Sequence, residues 1–476
     1  MSPGMEATGM QQNPGREGWR SLLRWEWIPT LGILLGGVLL QSMNVLMLTT
    51  VLPSIAGELG GVAMLSWPTT AFLASSIVAA SCAGMLAAAV GPRAAYCAGV
   101  TIFGLGALLC SLAPTMGWIV IGRLVQGFGG GLEAAAAYVA VRATFPEAVW
   151  SRTIALMSTS WSMSVLLGPL VGGMFARFGN WRGAFVATAI VAGILAVSAY
   201  VILPPGTSER RTPAARLPAG RVALIWLAIA GMSSASIVDA SFAKTGLIVL
   251  AIGALVAMLR LDRVAAAPLL PSDAFSLHTP TGVGLWLALL LCITFSPLQI
   301  YVPIFLQHLR GLDPLAAGFM VASGSLGWTI ASLVTAGASG SWPDRFMLAG
   351  PVVMGIGLMA IASLLPSSAA TLALIPAIVA LGMGIGQCWP FVAHRIMSGA
   401  KAGDEVVAAS SVPTVQQTGF ALGAALAGLV ANASGFSAGA ADENMMQVAF
   451  WVPASFVVPA AIACLAGLRL RHLRKP

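Results

Sequence analysis

One carboxylate and one guanidinium lie inside a single apolar segment of this chain, at residues 117–140. Glu133 is the only acidic residue within any long apolar stretch, and Arg123 precedes it by ten residues. Apolar surroundings disfavour the charged form of a carboxyl group, and ionisable residues in such segments are rare and functional by default. Glu133 is therefore a candidate for proton exchange, for binding a cationic ligand, or for both.

The spacing between these two residues places them at different depths in the membrane. Ten residues of helix cover about 15 Å, which is too far for a direct ion pair. Gln126 follows Arg123 by one turn and shares its helix face. Two simpler interpretations stay open: Glu133 only fixes packing against a neighbouring helix, and Arg123 caps carbonyl groups while its charged end reaches the membrane surface.

The segments around these residues are typical of an integral membrane protein. Hydrophobic residues make up 58% of the chain, charged residues only 8%, and the mean hydropathy is +0.89. A window of about nineteen residues predicts fourteen membrane-spanning helices. They cover residues 31–55, 66–89, 94–113, 117–140, 153–176, 183–204, 221–238, 243–261, 281–306, 315–338, 346–366, 370–394, 406–432 and 447–469.

The positive residues predict the orientation of these spans, because Lys and Arg are retained on the cytoplasmic side of short loops. With the N-terminus inside, nineteen of the 24 Lys and Arg residues fall on the cytoplasmic side. An even number of spans then places both termini in the cytoplasm. The net charge of +8 reflects this topology and some attraction to anionic lipid, so no nucleic-acid partner is predicted.

Metal, cofactor and enzyme chemistry find no support in the sequence. The six cysteines lie in or beside apolar spans without a CxxC pair, and the four histidines are scattered. Neither a hydrolase motif nor a phosphate-binding loop is present. We therefore predict no metal site, no cofactor and no enzymatic activity.

A polar linker divides the chain after the sixth span. We predict a cytoplasmic tail (1–30), a six-helix bundle (31–204), a linker (205–220) rich in Pro and Arg, an inserted helix pair (221–261), a connector (262–280), a second six-helix bundle (281–469) and a cytoplasmic tail (470–476). The short loop Asp239 to Lys244 joins the inserted pair.

Five motifs, in order along the chain, carry a family resemblance. They are Gly122-Arg123-Leu124-Val125-Gln126-Gly127-Phe128-Gly129 in span 4, Gly168-Pro169-Leu170-Val171-Gly172-Gly173 in span 5, Asn180-Trp181-Arg182-Gly183 before span 6, Arg310-Gly311-Leu312-Asp313-Pro314 before span 10, and Gln416-Gln417-Thr418-Gly419 in span 13. Together they resemble the major facilitator superfamily, and in particular its fourteen-helix drug:proton antiporter branch. The resemblance implies an all-α membrane fold of two six-helix bundles with two inserted helices.

The sequence departs from that branch at two positions. The loop from Gly84 to Arg93 has Ala88 where the family pattern has an Asp that supports a charged interdomain latch. A second copy of the pattern keeps Asp344 and Arg345, so the latch is expected on one side only. In span 1 the branch has an Asp at the position of Asn44, and a neutral amide binds substrate but carries no proton.

The resemblance also implies roles for individual residues. Arg123 and Gln126 would support coupling, and Gly168, Pro169, Gly172 and Gly173 would let two helices approach closely and seal the pathway. The expected cavity wall consists of polar and aromatic residues on spans that line the central pathway: Gln41, Asn44, Gln126, Gln299, Tyr301, Trp328, Gln387, Gln416 and Gln417. Adjacent residues differ by about 100 degrees on a helix, so at most one of Gln416 and Gln417 points straight into the pathway.

These features predict a secondary active transporter that works by alternating access around a midplane site. Its expected activity is proton-coupled efflux of small hydrophobic or amphiphilic compounds across a bacterial inner membrane, with Glu133 and Arg123 in coupling. Two alternatives remain. A proton-coupled importer or a uniporter of a neutral metabolite would share the fold, and a non-transporting sensor would tolerate the missing charges.

Overall fold

The computed structural model describes residues 19, 22, 24–60, 64, 67–205, 219–235, 241–265, 268–435 and 442–473. These residues form fifteen α-helices. The first eight are α1 (Ile28–Leu59), α2 (Trp67–Val90), α3 (Pro92–Ser111), α4 (Met116–Thr144), α5 (Trp150–Arg177), α6 (Trp181–Ile202), α7 (Ala219–Ala235) and α8 (Ser241–Arg263). The others are α9 (Pro280–Arg310), α10 (Pro314–Thr335), α11 (Trp342–Leu364), α12 (Leu374–Ser398), α13 (Glu405–Ala433), α14 (Asp442–Ser455) and α15 (Val457–His472).

The predicted all-α membrane fold is confirmed. Thirteen helical segments of the described chain are long and apolar enough to cross a bilayer, with α14 and α15 counted as one segment. The remaining predicted span coincides with α7, of which 17 residues are described. Helices dominate because backbone groups inside a bilayer must bond within their own segment.

The last span differs from the single helix that hydropathy predicts, because it breaks at Phe456 between α14 and α15. Pro459 has no backbone N–H to donate to the carbonyl of Ser455, and its ring crowds that residue. Pro453 lies one turn before the break, and its carbonyl accepts from the Phe456 amide at 3.2 Å. A hydropathy window averages over such a break and does not detect it.

Most of the predicted linker lies outside the described residues. So do parts of both predicted tails, and Asp239 of the loop in the inserted pair. Lys244, predicted in that loop, lies instead in the first turn of α8. The connector after α8 is anchored by Asp262, which pairs with Arg221 and accepts from the backbone amides of Leu269 and Leu270 at 2.8 and 2.9 Å. The domain boundaries themselves stay a prediction.

The helices group into two bundles. In the first, α1 packs on α5 and α6. Helix α3 packs on α4 and α6, and α4 also packs on α2. In the second, α9 packs on α13 and α15, and α12 packs on α10 and α11. The helices α7 and α8 form a hairpin, and α7 contacts α2 of the first bundle and α13 of the second.

The seam between α1 and α5 combines close approach with polar contacts. The Ser160 hydroxyl donates to the carbonyl of Leu35 at 3.1 Å, and the hydroxyl oxygens of Ser42 and Ser164 lie 2.5 Å apart. A Cβ atom on Gly168 would lie 2.7 Å from Leu46 Cβ, so only glycine fits there. The seam fixes α1 and α5 as one unit.

Several contacts between the two bundles lie at one end, which is the end predicted to be cytoplasmic. Arg142 of α4 donates to the carbonyl of Met397 at the end of α12, at 2.5 Å. His394 Nε2 lies 3.7 Å from a carboxylate oxygen of Glu147, and its ring packs on Trp150. These contacts close that end of the interface between the bundles.

Candidate functional site

Glu133 lies in the interior of the first bundle, on a stretch of α4 that is buried on every side. Its side chain is only 3% exposed, and neither carboxylate oxygen has a hydrogen-bond partner among the described residues. It contacts α1 and α3, and the cavity that it borders is lined by residues of the first bundle. A buried carboxyl group without an ionic partner favours the neutral form.

Two glycines make room for this carboxylate. A Cβ atom on Gly37 of α1 would lie 2.2 Å from Glu133 Oε1 and 2.1 Å from the hydroxyl oxygen of Tyr96. A Cβ atom on Gly99 of α3 would lie 2.6 Å from the backbone nitrogen of Glu133. The absence of side chains at Gly37 and Gly99 therefore brings Glu133 and Tyr96 together.

Tyr96 is fully buried on α3, and its hydroxyl donates to the carbonyl of Ile33 on α1 at 2.9 Å. Its single proton is thus directed to α1 while its oxygen lies beside Glu133. A protonated Glu133 can donate to a neighbouring oxygen, whereas an ionised Glu133 needs donors. By rotating its hydroxyl, Tyr96 can accept a hydrogen bond from protonated Glu133 or donate one to ionised Glu133.

A small cavity of about 10 Å³ borders Glu133. This is close to the space that one water molecule occupies. Gln41, one of the predicted cavity residues, lines it together with apolar side chains from α1, α3 and α6. The side chains of Glu133, Tyr96 and Gln41 thus form a buried polar cluster within the first bundle.

Arg123 forms a second buried cluster nearer the other end of α4. Its Nη1 donates to Asn44 Oδ1 at 2.5 Å and to Gln126 Oε1 at 2.7 Å. Its Nε lies 3.4 Å from the carbonyl oxygen of Pro68, and its guanidinium stacks 4.1 Å from the centre of the Phe72 ring. Arg123 and Gln126, which were predicted to share one helix face, are in direct contact, and Asn44 joins them from α1.

The second bundle presents aromatic rings near the middle of its helices. The Trp328 ring centre lies 5.4 Å from that of Phe295 and 6.0 Å from that of Trp389, and Phe420 extends the group. Gln387 Nε2 and Gln417 Oε1 are buried without a described hydrogen-bond partner. We name Phe295, Trp328, Trp389 and Phe420 the aromatic wall. Phe295 and Trp389 are 1% exposed, so the accessible surface of the wall comes from the half-buried Trp328 and Phe420.

The remaining predicted cavity residues are more open. Gln299 is exposed, while Tyr301 and Gln416 are half-buried. The structure therefore brings Trp328 together with aromatic neighbours and leaves Gln299 outside that group.

The predicted motif residues occupy different settings. Gly172 packs tightly, since a Cβ atom there would lie 2.0 Å from Thr50 Oγ1, whereas the Cβ position of Gly173 has no neighbour within 4 Å. Pro169 lies inside α5. Asp344 binds Arg395 at 3.0 Å, a contact between α11 and α12 within the second bundle.

The two motif arginines lie against aromatic rings. Arg345 stacks over Trp342, and Arg93 stacks over Tyr200 while donating to its carbonyl at 3.3 Å. Both are held by residues of their own bundle.

Sequence reasoning did not single out Tyr96 or the contact between Tyr138 and Trp389. Trp389 is 1% exposed and donates to the Tyr138 hydroxyl at 3.3 Å, from one bundle to the other. The chain has only four tyrosines, all of them in predicted spans. That scarcity was the one available signal, since buried tyrosines need partners for their hydroxyl groups.

The fold and these buried groups define a multi-pass membrane protein with polar chemistry inside its helix bundles. The family model of the Major Facilitator Superfamily matches residues 34–412. The chain belongs to this superfamily, which confirms the resemblance seen in its motifs. Its members are transporters, so the protein is a membrane transporter and not an enzyme.

Relatives agree with this assignment. A protein of Mycobacterium tuberculosis named "probable multidrug-efflux transporter" is 31% identical over 467 residues, which cover 95% of this chain and 96% of that protein. The multidrug transporter protein MdtP of Bacillus subtilis is 26% identical, with 81% of this chain and 71% of MdtP covered.

Two solved structures share the fold. The human organic anion transporter MFSD10 has a TM-score of 0.67 at 13% identity, with 93% of this chain and 100% of that chain covered. The xylose transporter XylE of Escherichia coli, in a partially occluded inward open conformation, has a TM-score of 0.58 at 12% identity, with 92% and 96% covered.

Proposed function

We propose that this transporter exports small hydrophobic or amphiphilic compounds in exchange for protons. The observation that carries the proposal is Glu133, a buried carboxyl group without described hydrogen-bond partners beside a cavity of the size of one water. Such a group can take up and release a proton without a competing ion pair. The names of the relatives support the substrate class.

The aromatic wall supports binding of apolar substrates. Flat rings bury large apolar area and tolerate different shapes, while Gln387 and Gln417 supply hydrogen-bonding groups. Aromatic faces also attract cations. The wall therefore suits amphiphilic compounds, including cationic ones.

A continuous set of contacts can link Glu133 to the second bundle. Glu133 touches α1 at Gly37, and α1 is joined to α5 by Ser160 and Ser164. The Ser162 hydroxyl of α5 then reaches Thr329 of α10, at 2.5 Å. A protonation change that shifts α1 would thus alter the contact between the bundles during alternating access.

We further propose a location in the bacterial cell membrane, the inner membrane, with both termini in the cytoplasm. The distribution of Lys and Arg supports this orientation. The contacts of Arg142 and His394 would then close the cytoplasmic side, so the structure would represent an outward-facing state. A fluorescent reporter that matures only in the cytoplasm, fused after residue 476, tests the orientation.

The central experiment uses liposomes that contain the purified protein, an acidic lumen and a fluorescent amphiphilic dye outside. A gradient of one pH unit is worth about 1.4 kcal/mol, so exchange of one proton for a neutral dye would support up to about tenfold accumulation. We expect accumulation that an uncoupler abolishes. Glu133→Gln should abolish accumulation while dye still equilibrates between the two sides.

Glu58→Gln is the matched control, because Glu58 lies at the end of α1 and pairs with Arg182. It should accumulate dye like the wild type. Normal accumulation by Glu133→Gln would contradict the role of Glu133.

A uniporter or a proton-coupled importer of a neutral metabolite is the second candidate, and Asn44 favours it. This amide binds Arg123 but carries no proton, which leaves one carboxyl group in the buried core of α1 to α6 for coupling. Substrate movement only down its gradient, unchanged by the uncoupler, would support a uniporter. No movement for any compound would favour a sensor.

A further inference from the structure

Arg123 is a buried cation without an acidic partner among the described residues. The side chains of Arg123, Asn44 and Gln126 are all fully buried. Every described hydrogen bond of the guanidinium goes to a neutral oxygen, on Asn44, Gln126 or Pro68. Removing a charge from water without a counter-charge is strongly unfavourable, so this arrangement calls for a negative charge.

The unpaired atoms of the cluster are all donors. Because a guanidinium only donates, the amide oxygens of Asn44 and Gln126 must face Arg123. Their amide nitrogens, and Arg123 Nη2, are buried without a partner. Three N–H donors around one positive charge suit an anion and repel a cation.

We propose that Arg123, Asn44 and Gln126 bind one small monovalent anion, either a halide or a carboxylate no larger than acetate. Full burial sets the size limit. The Phe72 ring covers one face of the guanidinium, and a Cβ atom on Gly127 would lie 2.2 Å from the Phe72 carbonyl oxygen. These contacts leave no room for a larger group on that side.

The position of the cluster allows entry from one aqueous side. Arg123 lies seven residues into α4, or about 10 Å along the helix. Pro68 is the second residue of α2, at the same end of the bundle. The site therefore lies about two helical turns from the end opposite to the contacts of Arg142 and His394.

The test is thermal unfolding of the purified full-length protein at fixed pH and ionic strength. Sodium chloride, bromide, formate and acetate are compared with sodium isethionate, whose anion is too bulky for the site. We expect a saturable rise in melting temperature with the small anions, as binding to the folded state requires. A response to halides alone identifies inorganic anions as the ligand, and a stronger response to formate or acetate identifies carboxylates.

Two variants decide the location. Asn44→Asp supplies a carboxylate from the chain itself, so its melting temperature should be raised in isethionate and rise no further with chloride. Arg123→Gln should lose the anion response. Arg345→Gln is the control, because Arg345 stacks on Trp342 away from the cluster, and it should respond like the wild type.

Equal melting temperatures of the wild-type protein in all five salts would overturn the proposal, as would an anion response that survives in Asn44→Asp. If Arg123→Gln does not fold, Asn44→Asp alone decides. The readout is stability, so its failure leaves proton-coupled export untouched, and failure of the dye experiment leaves the anion site untouched.

Discussion

The indole nitrogen of Trp389 donates to the hydroxyl of Tyr138 at 3.3 Å, which joins α12 of the second bundle to α4 of the first. Tyr138 is five residues from Glu133 on the same helix, and Trp389 also packs on Trp328 of the aromatic wall. This one contact therefore connects the helix that carries the buried carboxylate to the aromatic wall.

Tyr138→Phe should weaken the closed end of the interface. The substitution leaves a buried indole N–H without its partner, at a cost of about 1–3 kcal/mol. We expect a shift of about tenfold toward the state that is open at the predicted cytoplasmic end. The rate of alkylation of a cysteine placed at Ser410, which is buried against Gly84 across the interface between the bundles, measures the shift in a background without the natural cysteines.

The control for this prediction is Tyr200→Phe. Tyr200 is 66% exposed, and its described contacts with Arg93 use its ring and its backbone carbonyl. Its alkylation rate should match that of the parent protein. Equal rates for Tyr138→Phe and the parent would mean that the hydroxyl does not hold the bundles together.

Gly37→Ala tests the fit between α1 and the pair formed by Glu133 and Tyr96. The added methyl would overlap both side-chain oxygens, so one of them must move. We expect a loss of about 1–3 kcal/mol in stability, as for other overpacked sites, and a larger loss of proton-driven dye accumulation.

Gly36→Ala provides a nearly identical change in an ordinary environment. Its methyl would lie 3.5 Å from Leu195 Cδ1, a normal van der Waals distance. It should keep both its melting temperature and its transport. Similar behaviour of the two alanine variants would show that Gly37 has no special role.

The fold could be predicted from the sequence, whereas the orientation of Glu133 could not. Spans were predictable because a bilayer forces apolar segments into helices. The direction in which Glu133 points from α4 was not predictable. Helix α4 is buried on all sides from Gly129 to Val141 and so carries no amphipathic pattern. Its partner Tyr96 depends on which helices pack together, which hydropathy does not specify.

Motif resemblance predicted the Arg123 cluster more closely. Gln126 lies one turn from Arg123, so their contact follows from helical spacing alone. The link from Arg123 to Asn44 spans two helices, and the motifs brought both residues into the predicted site. That the amide nitrogens of Asn44 and Gln126 lack described hydrogen-bond partners could be recognised only from the structure.

Asp344 and Arg395 should stabilise the second bundle as a pair. Both side chains are largely shielded from solvent, so their charged hydrogen bond is worth about 1.5–3 kcal/mol. We expect Asp344→Asn and Arg395→Gln each to lower the free energy of unfolding, and the double variant to lose less than the sum. Denaturant unfolding of all four proteins measures this coupling.

Strict additivity in that cycle would show that the two residues act independently. The contact joins α11 to α12, so neither variant should alter alkylation at the predicted cytoplasmic end in the way expected for Tyr138→Phe. A marked change there would indicate that Asp344 acts between the bundles.

Ser162→Ala tests whether α5 transmits changes in α1 to the second bundle. The Ser162 hydroxyl donates to the carbonyl of Ser325 at 2.7 Å and lies 2.5 Å from Thr329 Oγ1. Its removal should slow proton-driven dye accumulation several-fold with little change in melting temperature, because the helices themselves stay intact.

Thr159→Ala is the control. Among the described residues, the Thr159 hydroxyl bonds only within α5, to the carbonyl of Leu156. Spatial continuity alone does not establish coupling, so the double variant with Glu133→Gln is needed. If Ser162→Ala still slows the dye equilibration that remains in Glu133→Gln by the same factor, the hydroxyl acts on bundle movement in general and not on proton coupling.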